Sequence, residues 1–318
     1  MKKIAALYTL GVFLCASSAA AAVVAKGPPS KGWDAAQRSN LPTVQFAAGV
    51  NFGEGKLRAA FQLAALPLLT RDERAKALFE KAKETCNIDL VGAIDGITVV
   101  SEEPLDPAGS NVYIATHGIT PSKLTDCLTK IVRPGKMAVS APDAHGVVEL
   151  KTGLGGFRKF YLAISNSGVI VFTGAPNDKK RIDAAVSRNW RLAPALASAT
   201  QHVDTHATIW AATATHKDIE KLKFSTKTGS ASLQCTETAC TVQGRFGLES
   251  PEKAQAAVGI AKEEIANSKQ ADLLPKVVET ILDAAAARVS AEGSDITASA
   301  TVTAADVTAL ISAIARRL

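Results

Sequence analysis

The sequence predicts an α+β protein: antiparallel sheets with helices on one face, arranged as two similar modules built from strand-strand-helix units. Three observations predict it. Runs of strand length rich in β-branched residues are separated by Gly-rich or Asn-Ser-Gly turns, as in Val147 to Lys151, Phe157 to Ser165 and Val169 to Thr173. Apolar segments at helical spacing follow a Ser or Thr cap, at Thr120, Ser250 and Thr303. Four cysteines in the body of the chain fall on these elements in positions that suit two bridges, Cys86 with Cys127 and Cys235 with Cys240.

The N-terminus comes first. Lys2 and Lys3 form a charged n-region, Ile4 to Leu14 an apolar run, and Ala16 to Ala22 a small-residue stretch, the order of a secretory signal peptide. The apolar run is far shorter than the roughly 20 residues of a permanent membrane helix, so residues 1–22 are expected to be removed, leaving no transmembrane segment. Cleavage after Ala22 is favoured, with Ala25 as the second position satisfying the small-x-small preference. Cys15 ends the apolar run, but Phe13 and Leu14 before it are not the small residues that lipid attachment wants. Residues 23–43 hold Gly27, Pro28, Pro29 and Gly32 without sustained periodicity and read as a flexible leader.

The N-terminal module spans 44–190. Val44 to Phe52 has strand character, and an apolar helical segment from Lys56 to Leu69 follows. Thr70 with Glu73 forms a capping box for a helix from Arg71 to about Thr85. Ile97 to Val100 and Asn111 to His117 read as two antiparallel strands. Thr120 as N-cap and Pro121 at the first helical position open a helix to Val132. The three strands named first then form a meander, and Asp178 to Ser187 is helical.

The C-terminal module spans 191–318. Ala193 to Ala199 is helical, and Thr205 to Ala212 alternates as a strand. Ser225 to Cys235 and Cys240 to Leu248 form a hairpin. Helices are expected from Pro251 and over about Leu273 to Ala286, then strands Arg288 to Ala291 and Ile296 to Val302. A last helix, Ala304 to Arg317, is capped by Thr303 with Asp306 at N3, and Arg316 and Arg317 suit its C-terminal end. The strand-cap-helix order recurs at Val112 to Val132, Cys240 to Ala266 and Ile296 to Leu318, which is read as an internal repeat.

Four cysteines in an exported chain allow three connectivities. Cys235 and Cys240 flank four residues between two strand-like runs, so a hairpin brings the sulfurs opposite each other, and Cys86 is left for Cys127. By loop entropy the wide bridge stabilises by about 4 kcal/mol and the narrow one by about 2 kcal/mol. A zinc half-site lacks its second half, and a redox pair reads Cys-x-x-Cys.

No residue set is singled out as catalytic, cofactor-binding or metal-binding. His202 and His206 are four apart, yet they fall at a segment read as a strand, whose period of two does not make them a chelate. Gly153-Leu154-Gly155-Gly156 lacks the Lys-Ser/Thr of a phosphate loop, and Ser165-Asn166-Ser167-Gly168 reads as a turn. Glu102 and Glu103, adjacent at a strand end, face opposite ways. The basic groups Lys179-Lys180-Arg181 and Arg71, Arg74, Lys76 are expected on wet helix faces, and Trp33, Trp190 and Trp210 are scattered. The net charge of +6 is mild and aromatics make up 5% of residues, without an interleaved basic stripe, so nucleic acid is excluded as a partner.

The order Phe46 to Cys86, Asn87-Ile88-Asp89-Leu90 and Asp95-Gly96-Ile97-Thr98-Val99-Val100, with a second cysteine, Cys127, in the next helix, resembles a broad group of uncharacterised exported proteins of myxobacterium-type bacteria. The resemblance implies an envelope location and no known activity, so no functional residues are carried over. The sequence therefore predicts a periplasmic or extracellular, non-enzymatic binding or structural protein. Its expected partner is another envelope protein or an apolar ligand. The alternative is a hydrolase whose site assembles only in the fold, using His117 or His206 with a remote Asp.

Overall fold

The computed structural model describes residues 30–38, 44–52, 73–90, 92–102, 109–131, 137–152, 158–174, 178–187, 194–214, 217–219, 224–236, 238–268, 288–303 and 305–306. The fold is α+β, with antiparallel strand pairing throughout the described ladders. Two compact units divide the chain, Pro29–Leu192 and Ala193–Leu318.

The first unit contains α1 (Lys31–Gln37), β1 (Phe46–Asn51), α2 (Glu73–Cys86), β2 (Ile94–Ser101), β3 (Ser110–Thr116), α3 (Pro121–Ile131), β4 (Met137–Val139), β5 (Val147–Thr152), β6 (Arg158–Ile164), β7 (Val169–Thr173) and α4 (Lys179–Val186). Its strands run in the order β1-β2-β3-β7-β6-β5-β4. Two meanders, β1 to β3 and β4 to β7, are thus joined through α3, and β7 returns to lie beside β3 with Tyr113 opposite Val171.

Residues opposite each other in register share a face. One face carries Thr98, Tyr113 and Val171, and α1 and α4 lie on it. Tyr113 Oη donates to the carbonyl of Ala185 in α4 at 3.2 Å, and a Cβ on Gly32 of α1 would meet Thr98 Oγ1 at 2.6 Å. The other face carries Ile164 and Ile170, which cluster with Ala82 of α2 and with Leu124, Cys127 and Ile131 of α3. Helices therefore flank both faces of this sheet, where the sequence reading put them on one. The reason is topological: α3 crosses between the meanders on one side, whereas α4, leaving β7, folds back on the other.

Local chemistry explains the helix ends. Thr120 Oγ1 accepts the Lys123 N–H at 3.2 Å, and Asp178 does the same for Arg181 at 3.2 Å. At the end of α2, Asn87 takes φ 52°, a conformation Asn tolerates better than most residues, and its N–H reaches the Lys83 carbonyl at 3.1 Å. Lys81 Nζ donates to the Ile131 carbonyl at 2.8 Å, placing a cation on the C-terminal end of α3. The Cys86–Cys127 bridge, with Cα atoms 5.5 Å apart, joins the same two helices.

The second unit contains α5 (Pro194–Thr200), β8 (Ile209–Thr213), β9 (Lys217–Ile219), β10 (Phe224–Thr226), β11 (Thr228–Cys235), β12 (Ala239–Gly247), α6 (Pro251–Ser268), β13 (Ser290–Glu292) and β14 (Asp295–Thr303). Here the order is β13-β14-β12-β11-β8, and β9 pairs with β10. Cys235 lies opposite Cys240 in the β11–β12 hairpin and is bonded to it, with Cα atoms 4.0 Å apart. Ser250 Oγ accepts the Lys253 N–H at 3.3 Å, and Thr303 and Asp306 form the reciprocal capping box, with side chains 2.7 Å apart.

Several expectations are corrected. The leader 23–43 contains α1, whose Trp33 and Ala36 are 2% and 3% exposed; Gly32 permits its close approach to the sheet instead of breaking the helix. The strand expected from Thr205 begins at Ile209, because Asp204 Oδ1 accepts the His206 N–H at 2.8 Å and holds a turn there. The short strands β4 and β9 were not legible as strands at three residues each. Residues 1–22, the expected helix over 56–69, the glycine run 153–156, Trp190 and the helix over 273–286 lie outside the described residues.

Candidate functional site

The histidines are the natural starting point for chemistry. His117 directly follows β3, and its Nδ1 lies 2.7 Å from Oδ1 of Asp95 in β2, 22 residues away in sequence. Lys31 Nζ of α1 stands 3.9 Å from the other Asp95 oxygen. The imidazole is exposed. An Asp-His pair of this kind is two-thirds of a hydrolytic triad, so the neighbouring hydroxyls decide what it can do. Thr116 Oγ1 is engaged with the Gly168 carbonyl at 2.6 Å, and Thr120 Oγ1 caps α3. Among the described residues no hydroxyl or thiol is bonded to the His117 ring.

The other described histidines do not converge. His145 and His206 are exposed in turns, where their backbone N–H groups bond Asp143 and Asp204, and His202 is exposed. Among the described residues no three metal-ligating side chains come together.

The basic group at α4 is largely internally engaged. Lys179 Nζ lies 2.9 Å from Asp183 and 3.4 Å from Asp143. The hydrogen bond to Asp183 raises the Lys179 pKa, against a lowering from burial. At Asp143 burial pushes the carboxyl pKa up, but the N–H groups of Val147 and His145 and the Lys179 ammonium outweigh it, so the net shift is downward. Arg181 turns inward: its Nε donates to Asn111 Oδ1 at 3.4 Å and its Nη2 faces Glu102 at 3.7 Å. The wet-face reading is corrected for Arg181, and Glu102, its side chain still exposed, is the ion-pair partner. Trp33 and Trp210 are core residues, 2% and 1% exposed.

The most extended feature is apolar. On the face that carries Ile164 and Ile170, one row across the strands reads Ala48, Val99, Val112, Phe172, and the next reads Val50, Ile97, Ile114, Ile170, Ile164. Ile164 and Ile170 are buried in the α2–α3 cluster, and Ile114 packs against it. Ala48, Val50, Ile97, Val99 and Val112 are half-buried, and Phe172 is 36% exposed, the one exposed large hydrophobic side chain among the described residues. A continuous apolar ladder thus passes from the core onto a partly open surface. Sequence reasoning found the strands but not this ladder, because β7 joins β3 from 52 residues or more away; Phe172, alternating with buried neighbours in a β-branched run, was the available signal.

Both cysteine pairs expected from the sequence, Cys86 with Cys127 and Cys235 with Cys240, are bonded. No described helix is long and apolar enough to cross a membrane.

No protein-family model and no curated protein matches the chain. Among solved structures it is similar to three crystal forms of TP0453, a treponemal protein. Form III aligns with TM-score 0.46 and 11% identity over 91% of this chain and 99% of the other. Form I gives 0.46 and 8% over 91% and 100%, and form IV 0.45 and 10% over 92% and 100%. At these values no residue or role is carried across.

Proposed function

We propose that this chain is an exported, non-enzymatic envelope protein that binds an apolar partner, a segment of another protein or an apolar ligand, on the face carrying Phe172. The observation behind this reading is the ladder Ala48–Val99–Val112–Phe172, apolar at every position and only partly covered. A surface of contiguous apolar side chains costs solubility unless a partner uses it. Two cystines suit an oxidising compartment, which supports a periplasmic or extracellular location together with the signal peptide expected over 1–22. N-terminal sequencing of protein recovered from the periplasm or medium should begin at Val23 or Lys26.

Binding is tested on the full mature chain with N-phenyl-1-naphthylamine, an apolar fluorescent probe, and with a photo-crosslinker at position 172 expressed in the native envelope. We expect probe binding that weakens about tenfold in Phe172→Glu but not in Phe172→Leu, or a discrete crosslinked protein. An unperturbed circular dichroism spectrum of Phe172→Glu confirms that folding is retained. Absence of both probe binding and crosslinking overturns the reading. The hydrolase reading has Asp95–His117 in its favour and needs a third group. Esterase or peptidase activity abolished by His117→Ala would establish it.

A further inference from the structure

No further inference is drawn: the strongest candidate, the Asn111–Arg181–Glu102 cluster where β3 meets the first turn of α4, carries nothing, because Glu102 already faces the guanidinium, Asp178 already caps the helix end, and nothing in the structure shows what acceptor the Asn111 amide would take.

Discussion

Removing the Cys86–Cys127 bridge should destabilise the protein about twice as much as removing Cys235–Cys240. The first closes a loop of 41 residues and the second a loop of 5. The chain-entropy relation takes about 13 cal/mol/K from the unfolded chain for the long loop and about 7 cal/mol/K for the short one. At 25 °C these become about 4 and about 2 kcal/mol. Each pair also buries one sulfur, Cys127 at 1% and Cys240 at 0% exposure, so the void left by Ala accompanies both replacements and the difference rests on loop length. For a unit of this size each kcal/mol moves the melting temperature by about 2–4 °C, which gives losses of about 8–16 °C and about 4–8 °C. The assay is urea and thermal denaturation of the Cys86→Ala/Cys127→Ala and Cys235→Ala/Cys240→Ala variants, with the remaining bridge verified by mass spectrometry. Equal losses, or a larger loss for the hairpin pair, would refute loop length as the origin of the stabilisation.

Glycine replacements should separate two costs. Gly146 has φ 78° and a Cβ there would lie 2.3 Å from the Ile164 carbonyl oxygen, whereas Gly118 has φ 67° and open space; Gly146→Ala should lose more than about 2 kcal/mol and Gly118→Ala about 1 kcal/mol in urea denaturation. Tyr113→Phe removes a buried hydroxyl from the Ala185 carbonyl and should cost about 1 kcal/mol without changing the circular dichroism spectrum. Asp143 is held below its ordinary value near 3.8, so its contribution is present above that pH and fades as pH falls through the lower folded value. Lys179 is held above 10.5, so its share is complete below that pH and fades as pH rises through the higher folded value. Asp143→Asn should therefore flatten the acid limb of a stability-pH profile, an outcome read by melting temperature between pH 2 and 7.

Much of the fold could be read residue by residue. The caps at Thr120, Ser250 and Thr303 rest on contacts three residues apart, so the sequence alone carries them. The meander β5–β7 was legible because its alternation and turns are local, and the cysteine pairing followed from one short hairpin and elimination. What escaped reading depends on distance along the chain. Asp95 meets His117 only after β2 has paired with β3, and Arg181 finds Asn111 across 70 residues. Helix α1 was hidden because two buried side chains, Trp33 and Ala36, give too short a period to outweigh the nearby Gly and Pro residues. The apolar ladder required knowing that Phe172 stands opposite Val112.

The order of synthesis bears on how the wide cystine matures. Cys86 and Cys127 leave the ribosome before Val148, Leu150, Leu162, Ile164 and Ile170, the strand side chains that later enclose Cys127. On the export route proposed above, both thiols enter the oxidising compartment ahead of β7. Once that strand has zipped onto β3, the Cys127 sulfur is sealed in hydrocarbon, and a small-molecule reductant meets the linkage only from the half-buried Cys86 side.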